Sequence, residues 1–176
     1  MGTGQEDLAA RREMTRHNWR TAFLAQAKSD FNVLVRLFQG RESERCHRLH
    51  YFLMASEKLA KGYLTNGKER PQPTHEALVR FLRQAHLFRD LRKRCRMTSK
   101  RQFQHYLVGL LPIAQEAENL FPRANEPKPN PEYPWQGTED SICVPCEYAF
   151  ADWEWDKPRS KFIKIMEFLE SCLAKN

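Results

Sequence analysis

Long hydrophobic runs are missing from this sequence: stretches such as Tyr106–Leu111 end after a few positions, whereas a membrane-spanning helix needs about 20 apolar residues. No membrane association is therefore expected. The opening residues, Met1-Gly2-Thr3-Gly4-Gln5-Glu6-Asp7, have neither a basic start nor an apolar stretch, so no secretory signal is read there. Gly2 is not followed by the Ser or Thr that a myristoylation motif requires. Without an export signal, the five cysteines (46, 95, 143, 146 and 172) are expected to be reduced thiols in the cytoplasm rather than a disulfide framework. Alternating apolar and polar positions form no convincing series of strands, and no internal repeat is visible. Acidic residues are scarce over residues 1–124, which hold 12 Asp/Glu against 23 Lys/Arg, a net +11; residues 125–176 hold 10 against 6, a net −4.

What is present reads as one small helical domain spanning 1–176. A chain of 176 residues suits a single core, and 41% apolar with 11% aromatic residues is enough to fill it, which excludes wholesale disorder. Residues 1–8 are polar and Gly-rich and are expected to be frayed. From about Glu6 to Phe38 apolar side chains recur at three- and four-residue steps (Trp19, Ala22, Phe23, Ala27, Phe31, Leu34, Val35, Phe38), with Gly40 as the closing cap. A second helix is read over Glu42–Leu64 and a third from an N-cap at Thr74, with Leu78, Phe81, Leu82, Ala85 and Phe88 on its inner face. Thr98 or Ser99 caps a fourth, whose stripe is Phe103, Leu107, Leu110, Leu111, Ala114, Ala117 and Phe121, interrupted by Pro112.

After Phe121 the character changes. Pro122, Pro127, Pro129, Pro131 and Pro134 exclude a helix or a sheet interior. Tyr133, Trp135, Tyr148, Phe150, Trp153 and Trp155 lie in the same segment, and such aromatics argue against a free linker. Residues 122–157 are therefore expected to be an ordered irregular strap packed on the helices. Trp153 and Trp155, flanked by acids, are candidates for an acidic, aromatic contact patch. A last helix follows Pro158, with Phe162, Ile165, Met166, Leu169 and Leu173 on one face. The fold class is all-α: a bundle of four to five helices with a long Pro- and aromatic-rich loop before the last.

The run Leu49-His50-Tyr51-Phe52-Leu53-Met54-Ala55-Ser56-Glu57-Lys58-Leu59-Ala60-Lys61-Gly62-Tyr63-Leu64, then a Gly- and Pro-containing turn and Thr74-His75-Glu76-Ala77-Leu78, resembles the HEPN domain family. That family's second helix typically carries A-x-E-K-x-x-K-A-x-L, followed by T-H-x-x-L; Gly62 stands where the family usually has Ala. The resemblance covers roughly residues 20–120 in helix order. It implies a helical bundle, often dimeric, from prokaryotic toxin–antitoxin, antiviral or nucleotidyltransferase-linked systems, whose active members are metal-independent RNases. The RNases rely on R-x4-6-H, usually near the start of the last bundle helix, which supplies a cation for the phosphate and an imidazole for proton transfer. Here that spacing occurs at Arg12/His17, Arg41/His47, Arg45/His50 and Arg70/His75, none of them in the family's usual place. Arg101 and His105 have three intervening residues, and the strap holds no His.

Three groups of residues follow as candidates. Arg45 and His50 are the candidate catalytic pair. Glu57, Lys61 and His75 form a candidate polar groove, with Glu57–Lys61 also readable as an ordinary helix ion pair. Arg89, Arg92, Lys93, Arg94, Arg96, Lys100 and Arg101 are candidates for contact with nucleic acid or an acidic partner, since only Asp90 opposes nine cations over 80–101. No metal site or cofactor is expected: His47 and His50 lack a third ligand, and Cys143-Val144-Pro145-Cys146 reads as packed thiols. Three functions stay open: a HEPN-like module binding RNA, a nucleotide or a partner protein; an active HEPN endoribonuclease; and a structural interaction subunit.

Overall fold

The structure is a computed structural model and describes residues 18–40, 44–66, 68, 71, 74–121, 128–138, 141–153 and 161–174. Six helices lie within them: α1 (Trp19–Gln39), α2 (Arg45–Leu64), α3 (Ala77–Ala85), α4 (Arg89–Arg94), α5 (Lys100–Asn119) and α6 (Lys161–Leu173). The expectations for residues 1–8, Arg12, His17, Arg41, Arg70, Trp155 and Pro158 lie outside the described residues.

Each helix start has an identifiable cause. Asn18, in extended backbone, accepts the Thr21 N–H at 2.9 Å, so α1 is capped there rather than running on unbroken from Glu6. Ser99 caps α5 by accepting the Gln102 N–H at 2.9 Å. Thr74 is not the cap of α3. Its hydroxyl serves the Glu76 N–H at 3.2 Å, and the first turn is satisfied by Glu118 of α5, whose carboxylate accepts the Val79 N–H at 2.8 Å. The expected third helix is also two: the chain turns at His86–Leu87 and restarts as α4, which buries Leu91. Gly40 ends α1 in extended backbone (φ −78°, ψ 129°), not as a left-handed cap.

Helix α2 is the axis of the bundle. Phe52, Leu49, Leu53, Leu59 and Ala60 are buried, and the buried hydroxyl of Ser56 donates to Phe52 O at 2.7 Å. α1 packs antiparallel along it, with Leu24 against Gly62 near one end and Asp30 against Lys58 further along. Buried Asp30 is fully engaged, by Lys58 Nζ at 2.5 Å and Gln26 Nε2 at 2.9 Å. α6 fills the remaining side with Phe162, Ile165, Phe168 and Leu169; Phe162 meets Phe52 at 5.0 Å and Phe168 meets Phe81 at 6.0 Å between ring centroids. Pro112 lies on the exposed side of α5, within the helix.

The described parts of the strap are ordered and packed on the helices. Phe150 and Trp153 enter the core, Trp153 at 5.7 Å from the Phe52 ring. Trp153 is only 4% exposed, so it is a core residue and not part of a contact patch. The strap also holds one antiparallel pair, β1 (Trp135–Gln136) with β2 (Ile142–Cys143), which the absence of strand alternation did not anticipate.

Candidate functional site

Glu57 and Lys61 sit one turn apart on α2 and form an ion pair with side chains 11% and 10% exposed. His75, from the loop before α3, brings Nδ1 to 2.8 Å from the second Glu57 carboxylate oxygen. Its ring stacks on Phe121 at 4.4 Å and 21° and stays half exposed. The predicted groove residues Glu57, Lys61 and His75 are therefore together. The buried carboxylate is shared between a lysine and an imidazole, which fixes the ring.

Arg45 and His50 do not join this groove. Five residues apart on a helix of 3.6 residues per turn, they are about 140° apart around the axis. Each holds the strap: Arg45 Nη1 donates to Ala149 O at 2.7 Å, and His50 Nδ1 lies 2.9 Å from Glu132 Oε1. His50 also lines a separate cavity of about 400 Å³ with Cys46, His47, Tyr133 and Cys146. Among the described residues no group of three or more His, Cys, Asp or Glu could hold a metal ion.

The basic cluster is a surface made by α4, its following turn and the start of α5. Arg89, Lys93, Arg96, Lys100 and Arg101 are exposed and Arg92 is half-buried. None of these six forms an ion pair among the described residues. Arg96 adopts φ 54°, the left-handed conformation that closes α4 through hydrogen bonds from Arg96 N to Lys93 O and from Met97 N to Arg92 O. That position favours glycine, and a bulky arginine there carries backbone strain of roughly 1–2 kcal/mol. Arg101 extends the surface into a depression that it shares with Ser99, Gln102, Gln104 and His105.

Arg94 is the exception within the cluster. Its guanidinium donates to Cys172 O at 2.9 Å and to Ala174 O at 3.3 Å, neutralising carbonyls at the C-terminal end of α6. It is therefore a structural clamp, and its expected place in the binding surface is corrected. Buried Tyr63 leans on the same Cys172 carbonyl at 3.5 Å, and burial pushes its phenol up to about 12. Sequence reasoning missed this junction and the Glu118 cap, because both join segments far apart in the chain. The Arg101–His105 spacing of four was the one local signal for the depression on α5.

No helix among the described residues is long and apolar enough to cross a membrane. No protein-family model, curated protein or solved structure matches the chain.

Proposed function

We propose that this chain is a HEPN-like helical module of a prokaryotic defence or toxin–antitoxin type system that binds RNA through the α4–α5 surface, as a homodimer or as a subunit of a larger complex. The observation that carries the reading is the set of six cations on that surface without an ion-pair partner among the described residues. Like charges crowded together repel, and phosphates relieve that repulsion while releasing counterions. Arg96 adds weight: retaining arginine where glycine would be less strained fits a side chain kept for what it contacts. The resemblance of residues 49–78 supplies the systems in which such a module works.

The test is a salt titration of binding to labelled single-stranded RNA with the parent and an Arg92→Ala/Arg96→Ala/Arg101→Ala variant. Log affinity should fall steeply with log salt for the parent. The variant should keep its fold, bind at least about tenfold more weakly and show a shallower slope. RNA binding with no salt dependence, or equal binding by both proteins, would remove the reading in favour of a structural subunit. Light scattering that shows only monomer, with and without RNA, would remove the homodimer.

A second reading, metal-independent RNA cleavage, has one specific support. Arg101 and His105 are exposed on one side of α5 and share a depression on the basic surface, placing an imidazole beside a phosphate-binding cation. Cleavage of RNA in chelator, abolished by His105→Ala with binding retained, is the result this reading requires.

A further inference from the structure

We propose that the crevice between α1 and α6 binds a small lipophilic amine, with its apolar body between the helices and its ammonium group at Glu167 and Glu170. The Phe38 and Phe162 rings meet at 5.4 Å between centroids, and Lys28 Nζ reaches Leu173 O at 3.4 Å. The two helices therefore run antiparallel. Between them lies a cavity of about 650 Å³, a size that suits small organic ligands, which occupy pockets of roughly 300–1,000 Å³. Phe31, Val35 and Phe38 wall it from one face of α1, and Phe162, Ile163 and Met166 wall it from α6. Phe31 and Phe162 are buried, but Val35, Phe38, Ile163 and Met166 are only half-buried, so an apolar occupant removes further apolar area from water.

The charge around the crevice selects the occupant. Glu167 and Glu170 line the same cavity, and their spacing of three puts both carboxylates on one side of α6. The antiparallel run places them toward the Phe31 end, away from the contact between Phe38 and Phe162. Both are exposed, and neither forms an ion pair among the described residues. Lys28, the cation that α1 brings to this end, is spent on the Leu173 carbonyl. Arg48 lines the opposite end and is held there: its guanidinium lies 5.2 Å over the Phe38 ring and donates to Gly40 O at 3.4 Å. An anionic head group would meet two carboxylates, and a neutral one would leave their mutual repulsion in place. An ammonium carries three N–H donors and can serve both carboxylates at once. An alkylamine keeps its proton at neutral pH, as a lysine with its pKa of about 10.4 does. The crevice shares no residue with the basic surface of α4 and α5, so the two sites stand or fall separately.

The experiment titrates the full-length protein with decylamine, decanol and decanoate, each below its micelle-forming concentration, by calorimetry and by methyl NMR. Decylamine should bind about tenfold more tightly than decanol, with decanoate weakest, and added salt should narrow the preference. The methyl signals of Val35, Ile163 and Met166 should move, while that of Val108, exposed on α5, should stay. Glu167→Gln/Glu170→Gln changes two exposed side chains and should keep the fold. It should bind decylamine only as weakly as decanol, with the affinity for decanol unchanged. Absence of binding, equal binding of the three ligands, or a preference for decanoate would overturn the proposal. So would amine binding undiminished in the double variant, or signals moving elsewhere than in the crevice. Light scattering that shows a dimer in the parent and a monomer in Val35→Glu, with no amine bound, would assign the crevice to a second copy instead.

Discussion

Gly62 of α2 faces Leu24 of α1 so closely that a β-carbon placed on it would lie 2.8 Å from Leu24 Cγ and 3.3 Å from the Leu24 backbone nitrogen. Mid-helix glycine ordinarily costs about 1 kcal/mol relative to alanine. Here the close helix crossing decides the residue. Gly62→Ala should destabilise by about 1–3 kcal/mol despite its better helix propensity. Urea denaturation with an unchanged m-value checks this, and a gain in stability would mean that α1 can withdraw without cost.

Arg94 and Arg96 should separate cleanly. Arg94→Ala removes the clamp on the Cys172 and Ala174 carbonyls and should lower thermal stability by about 1–3 kcal/mol. Arg96→Gly relieves a left-handed φ of 54° and should raise stability by roughly 0.5–1 kcal/mol while weakening RNA binding. Calorimetry paired with the binding titration reads both effects, and stability and affinity changing in the same direction for Arg96→Gly would contradict the assignment.

Glu57→Ala should be among the most damaging polar substitutions. It leaves Lys61, whose side chain is 10% exposed, as a buried charge and frees His75 from its anchor. A loss of about 3–5 kcal/mol is expected, because an uncompensated buried charge costs far more than the intact pair contributes. The double variant Glu57→Ala/Lys61→Met should recover part of that loss in the same denaturation assay.

Alkaline pH should destabilise the fold through Tyr63. Its phenol ionises near 10 in the unfolded chain and near 12 when folded, so above pH 10 the native state retains a proton that the unfolded state loses. Stability from this group is complete below pH 10, falls between 10 and 12, and levels beyond, with a total of at most roughly 2–3 kcal/mol. Tyr63→Phe should flatten that part of a pH–stability profile.

The bundle was legible because burial follows the 3.6-residue stripes: Ala27, Phe31 and Leu34 on α1 and Phe103, Leu107 and Leu110 on α5 are buried as their spacing requires. The exception on α1 is Trp19, 38% exposed beside the start of the helix. The contact among Glu57, Lys61 and His75 was legible too, since a spacing of four puts Glu57 and Lys61 on one side and the short turn returns His75 to them. Arg94 could not be distinguished from its basic neighbours, because its acceptors lie 78 and 80 residues away. Trp153 was misread for a related reason. Its acidic neighbours suggest a surface, but its ring finds Phe52 and Phe162 across the fold. The β1–β2 pairing is two residues long on each side, too short for any alternation to register.

The 41 residues between Asn119 and Lys161 also set the order in which the molecule assembles. α1 and α2 are joined by a handful of residues and can dock through local contacts, whereas α6 must close a loop whose entropy costs about 3 kcal/mol before Phe162 and Phe168 gain any packing. Helix α6 is therefore expected to arrive last, after the strap has been fastened at Arg45 and His50. In kinetic terms, truncating Phe168 should chiefly speed unfolding, while truncating Leu34 or Leu53 should slow folding itself.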